Sequence, residues 1–311
     1  MRKLKFDLTN GAGATYTPNA ESFYAQAYLG SSDIVDNFRT LPGVKFQVKI
    51  GTVTFGDILQ PSTCAFTAPV DELTAKSMSV CALSSMAQIC QFDLEQSFVS
   101  LQMAKGSNGD FTVASFMDYY WNEMALTIAE NVEKLRWSGD TLSGDASLAL
   151  CDGIKKSLVA DVANVIDIAA PVAITSANVL AKLAEVYDAI PAAVLANQEN
   201  LRIYVSSPVA AAYRSAVAAS NTQANLTQAL DFTYLGIKMV LCPGMLGLST
   251  IVATLKDNLI YAFDAEGDGK ALRAINLADT VAEPVIRTRA NMKVGFTHVN
   301  GTEIVFYNSA T

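Results

Sequence analysis

Between residues 116 and 137 the chain commits to one long helix. Phe116, Tyr120, Met124, Ile128, Val132 and Leu135 recur at spacings of three and four, so they share one stripe of a helical surface. At the usual rise per residue that helix is about 33 Å long, as wide as a small domain. Everything else must be arranged along it. Ser115 stands where a cap is expected, with Asp118 three residues on, and Ser138, Gly139 and Asp140 end the run. The aromatic stripe reads as core, not as a cofactor box.

The rest of the 311 residues is unusually poor in charge, at 17% against a typical share of about 25%, and 51% hydrophobic. The mean hydropathy of +0.26 is high enough that part of the apolar surface is expected to cover subunit interfaces. Membrane spans do not explain it. Residues 239–255 carry Pro243, Gly244 and Gly247, and residues 157–175 are broken by Asp161, Asn164 and Asp167. The basic N-terminus lacks the apolar core of a signal peptide. The expectation is a soluble, intracellular chain with no membrane partner. Its net charge of −8 and the absence of any Lys/Arg run longer than Lys155–Lys156 exclude binding of nucleic acid through a basic patch.

Chemistry-bearing motifs are missing. The single histidine, His298, sits beside an expected hairpin turn, where a surface or packing role is read. No GxSxG elbow accompanies it, and one His cannot build a His-based zinc site. Asp264, Glu266, Asp268 and Gly269 resemble the start of a calcium loop, but Ile275 occupies the twelfth position where a bidentate Glu is needed. Gly267, Gly269 and Lys270 are followed by Ala271, which cannot hold magnesium as Ser or Thr would. Cys64, Cys81, Cys90, Cys151 and Cys242 form no CxxC and are read as small buried thiols. No catalytic, cofactor-binding or metal-ligating residue is assigned, and the chain is read as a non-enzyme.

Around the helix the chain alternates in kind. Residues 1–43 are broken by glycines and prolines yet carry Phe6, Tyr16, Phe23, Tyr24, Tyr28 and Phe38. Two readings fit: an arm whose aromatics anchor on a neighbour, or the first layer of the chain's own core. Val44, Phe46, Val48 and Ile50 alternate with polar residues, Gly51 interrupts as a bulge or bend, and Val53 and Phe55 follow. A second alternating run puts Met78, Val80 and Ala82 on one face. Together these predict a long hairpin that must rest on something else. A short helix is expected around 94–103. Ser176 is expected to open a helix to Ile190, residues 201–205 form a buried strand, and Ser207 and Pro208 start another helix. Strands follow at 237–241, 251–254 and 258–263. Finally Arg287, Arg289 and Lys293 alternate with apolar residues, and Asn300–Gly301 predicts a hairpin to a return strand at 303–307.

This order resembles the major capsid proteins of tailed bacteriophages, with the Hong-Kong-97-type fold. The local likenesses are Glu133 to Asp140 (a helix end running into a Gly-Asp turn), Asp152-Gly153-Ile154, Tyr204 to Pro208, Leu235 to Val240, and Arg287 to Gly295. The resemblance implies an α+β fold: an N-terminal arm (1–43), an extended hairpin loop and start of a peripheral domain (44–110), a spine helix (111–140), an inserted axial α/β domain (141–283) and peripheral return strands (284–311). It implies hexamers and pentamers tiling an icosahedral virion shell, assembled in the host cytoplasm around double-stranded DNA that touches the wall weakly and non-specifically. Portal, scaffolding and decoration proteins are the implied partners. Tyr16, Phe23, Tyr24, Phe46, Val48, Ile50, Phe55, Met78, Val80, Arg287, Arg289 and Lys293 are the assembly-interface candidates. An encapsulin-like cellular compartment, or a soluble enzyme built on 141–283, are the alternatives. No scaffolding segment is evident, and no residue matches the Lys–Asn crosslink of some relatives; Lys76 and Lys105 read as solvated lysines.

Overall fold

The computed structural model describes residues 20–29, 36–55, 71–90, 113–168, 171–219, 231–247, 249–264, 272–277, 283 and 285–309. The long stripe folds as a 26-residue helix, Val113–Ser138, which follows helix α1 at Ala20–Leu29 and is here α2. It starts two residues before Ser115, so the expected cap lies inside the helix. Trp121, Met124, Ala125, Ile128, Val132 and Leu135 are buried along it. In its last turn Arg136 is buried, 3.2 Å from Glu133, with its guanidinium 4.9 Å from the centre of the Phe38 ring. A cation there suits the negative end of the helix dipole.

The inner face of the first sheet packs against α2. That sheet contains β1 (Arg39–Pro42), β4 (Cys81–Cys90), β10 (Leu259–Asp264), β11 (Leu272–Asn276) and β12 (Val285–His298). Asp264 pairs with Lys293 and Leu272 with Ala290, so β10 and β11 run along one edge of β12 as a single interrupted strand. β4 takes the other edge, from Cys81 opposite Val294 to Cys90 opposite Val285. Alternation along β12 buries Ile286, Ala290, Met292, Val294 and Phe296 in the core shared with α1 and α2.

The second sheet runs β5 (Ile166–Asp167), β13 (Val305–Ser309), β9 (Ser249–Leu255), β6 (Leu201–Val205), β8 (Ile237–Leu241) and β7 (Thr233–Tyr234). Between β5 and β7 the chain also forms α4 (Val179–Asp188), α5 (Ala192–Leu195) and α6 (Ser207–Ala219); the short α3 (Ile154–Ala160) precedes β5. Ile203, Ile251 and Val305 face the core built with α4 and α6. Tyr204, Val252 and Phe306 face the other way, into the core of α2. The sheet is therefore a wall between two cores, which is why its strands are apolar on both faces.

Several expectations are corrected. The residues after Asn300–Gly301 do not return beside β12. Gly301–Glu303 form a turn of 3-10 helix, and β13 pairs with β9 and β5 in the second sheet. β10 and β11, which lie within 141–283, pair with β12 in the first sheet. The helix expected from Ser176 begins at Val179, because Asn178 ties the preceding turn to Thr175 and Ala173. Cys81 and Cys151, expected as small buried thiols, form a disulfide; among the described residues Cys90 and Cys242 form none. The helix expected at 94–103 and Cys64 lie outside the described residues.

Candidate assembly surface

The hairpin consists of β2 (Gln47–Phe55) and β3 (Asp71–Ser79), paired without interruption from Gln47 opposite Ser79 to Phe55 opposite Asp71. Gly51 sits in register opposite Ala75, so of the two expected irregularities, bulge or bend, the bulge is absent. The root lies across the outer face of the first sheet: Ile50 and Met78 are buried against Ile260 and Ala262, with Val48 and Val80 partly buried beside them. Gly295 permits this crossing, since a Cβ there would stand 2.9 Å from the Ser79 carbonyl oxygen. Outward of Lys76 the β3 side chains Leu73, Thr74 and Ala75 are exposed, Leu73 at 75%.

Where the hairpin does not cover it, the outer face is basic. Arg273, Arg287 and Arg289 are exposed on it, and the register places Arg273 directly opposite Arg289. Like charges so placed repel. Arg287 Nε donates to Gln88 at 3.0 Å and the guanidinium stands 3.8 Å from Glu283. Arg289 Nε donates to Asn291 at 2.9 Å and Ser84 at 3.3 Å. Lys293 lies 3.5 Å from Asp264 and 4.8 Å from the Phe46 ring.

At the hairpin root lies the only histidine. His298 is fully buried, with Nε2 2.8 Å from Asp161 Oδ2 and Nδ1 3.0 Å from Ser157 Oγ. Lys76 Nζ is 2.8 Å from Nε2 and 3.4 Å from the same carboxylate oxygen. Lys76 is therefore an ion-paired residue, not the solvated one expected. Burial, reinforced by the Lys76 charge, holds the imidazole below its ordinary pKa. Burial opposes ionisation of Asp161, but hydrogen bonds from His298 and Asn164 and the Lys76 charge hold it below the usual carboxylate range. Burial also lowers Lys76, with Asp161 partly offsetting it. A Ser–His–Asp row usually suggests a nucleophile. Here the adjacent ammonium opposes the imidazolium that such catalysis requires.

The interface candidates thus separate. Phe23 and Tyr24 are core residues of this chain: Phe23 packs edge-on against Trp121 at 5.4 Å, and Tyr24 donates to the Asn291 carbonyl at 2.7 Å. Their aromatic surface is buried within this chain, as are Ile50 and Met78. Phe46, 79% exposed, and Arg287 and Arg289 remain on the surface. Tyr16 and the Phe55 side chain lie outside what is described. Sequence reading missed Leu73, Met86 and Arg273; only the alternation of polar residues in β4 and β11 could have signalled the last two.

No protein-family model matches the chain, and no curated protein matches it. Solved structures do. A chain of the satellite phage P4 procapsid, a structure that includes the size determination protein Sid, superposes with a TM-score of 0.66 at 10% identity, covering 97% of this chain and 92% of that one. The capsid chain of an empty GTA particle gives 0.59 at 14% identity, with 100% and 94% covered. A chain of Gordonia phage Cozz gives 0.56 at 12%, with 88% and 85% covered. At these identities the likeness is one of fold.

Proposed function

We propose, from a fold shared end to end with phage capsid chains, that this protein is the major capsid protein of a tailed phage or a relative. It assembles itself into hexamers and pentamers of an icosahedral shell around double-stranded DNA, with a portal and scaffolding or decoration proteins as partners. The observation that carries the reading is coverage: the likeness spans 97% of this chain and 92% of a procapsid chain. On this reading α2 is the spine helix of a Hong-Kong-97-type subunit, the first sheet is its peripheral domain, and the second sheet with α4 to α6 is its axial domain. The pairing supports drawing the axial domain from 166–255 plus 305–309.

The exposed part of the hairpin reaches a neighbouring subunit, carrying Leu73 with it, and the basic face of Arg273, Arg287 and Arg289 meets acidic surface of another copy. The chain's net charge of −8 supplies that acid. Phage and GTA capsids among the similar structures favour the virion over an encapsulin-like compartment.

Light scattering after size-exclusion chromatography tests this. Wild type is expected as capsomers or larger particles. Arg287→Glu with Arg289→Glu, two exposed positions whose reversal leaves the core intact, is expected to shift most material to monomer, since like-charge contacts across an interface cost several kcal/mol. A wild type that stays monomeric, or a double variant that assembles unchanged, contradicts it.

A further inference from the structure

The hairpin is tied to the body by an arrangement that acid can undo. Lys76 is the outermost tether: beyond it the described β3 side chains are exposed, and inward of it Met78 belongs to the apolar root. Its ammonium shares one carboxylate oxygen, Asp161 Oδ2, with His298 Nε2. Asp161 Oδ1 is already occupied by Asn164 at 2.7 Å. The groups facing the imidazole come from three places: Lys76 on β3, Ser157 on α3, and Asp161 just after α3.

A neutral imidazole has one donor and one acceptor; an imidazolium has two donors. With both nitrogens protonated, His298 donates through Nε2 to Asp161 and through Nδ1 to Ser157 Oγ. Both positions are within hydrogen-bond distance, so the charged ring is satisfied without movement. Lys76 then has a cation 2.8 Å away, the longer of two contacts to Asp161 Oδ2, 3.4 Å against 2.8 Å for His298, and an open path to solvent. Two cations 2.8 Å apart repel, and of the two it is the partly exposed ammonium of Lys76, not the buried imidazolium, that water can take up.

We propose that Lys76, Asp161, Ser157 and His298 form an acid-opened latch, in which protonation of His298 transfers the Asp161 carboxylate from Lys76 to the imidazolium and frees the hairpin beyond its apolar root. The latch is a property of the single chain and stands whether or not the chain builds a shell. Asp161 remains ionised throughout the histidine range, so the switch has one titrating member. The proton comes from solvent and no bond is otherwise made or broken.

Hydrogen exchange of peptides covering β2 and β3, corrected for the intrinsic pH dependence of exchange, tests it between about pH 7.5 and about pH 5. In wild type, hairpin protection is expected to fall about tenfold while α2 keeps its own. Lys76→Met is expected to show the unprotected hairpin already at the higher pH, and His298→Gln to remove the acid response. Because the chain has one histidine, its ring resonances titrate without ambiguity in an NMR spectrum of wild type. Their midpoint must coincide with the fall in protection. A wild-type hairpin insensitive to acid, the same acid response in His298→Gln, or a midpoint away from the ring titration overturns the latch. If His298→Gln does not fold, the wild-type coincidence and Lys76→Met still decide.

Discussion

Opening the Cys81–Cys151 disulfide, by reduction or by Cys81→Ser with Cys151→Ser, is expected to lower the unfolding free energy by about 4 kcal/mol. The bond closes a loop with a sequence separation of 70 residues, containing β4 and all of α2. Without it the unfolded chain recovers the conformational freedom of that loop. The effect is expected to act mainly through the unfolded chain, since Cys151 is already held in the connection from α2 to α3 by its burial. Urea unfolding of oxidised and reduced protein measures the difference. A loss below about 1 kcal/mol would show that the unfolded chain is not constrained as the loop argument requires.

Trp137→Ala is the second large effect, expected at about 3–5 kcal/mol. Trp137 ends α2 where the two cores meet. It is 1% exposed, packed edge-on against Phe38 at 5.9 Å and tilted against Tyr204 at 5.5 Å. Tyr204 belongs to β6 of the second sheet, so the cavity left by truncation opens between α2 and that sheet. Trp137→Phe keeps a ring in place and removes an N–H that has no hydrogen-bond partner, so it costs less. Exposed Phe46→Ala serves as the comparison, changing stability by no more than about 0.5 kcal/mol. Thermal unfolding of the three variants orders them; equal effects at 46 and 137 would contradict the placement of Trp137.

What was legible in the sequence is local. Leu201–Val205 and Ile237–Leu241 are strands with the expected limits, because short apolar runs bounded by polar residues leave few alternatives. The stripe of α2 is legible for the same reason, through its period. Destinations are a different matter. Asn300–Gly301 carries the local signal of a hairpin, but Gly301 is needed for another purpose: a Cβ there would stand 2.7 Å from the Asn164 side chain. The chain instead turns into the second sheet, a choice made by the apolar faces of β13 fitting both cores. The disulfide joins cysteines with no spacing motif, and the latch draws on positions 76, 157, 161 and 298. Nothing local marks residues so far apart as neighbours. Phe23 and Tyr24 show the converse: their composition suits an arm or a core equally, and only α2 packing against α1 decides.

Cryo-electron microscopy of the high-mass fraction of the purified chain tests the shell assignment most directly. The expected result is a closed particle of pentamers and hexamers into which the subunit fits with α2 and both sheets intact and the β2–β3 hairpin lying on an adjacent copy. A chain that remains a monodisperse monomer or dimer at every concentration, with no rings and no closed particles, would contradict it.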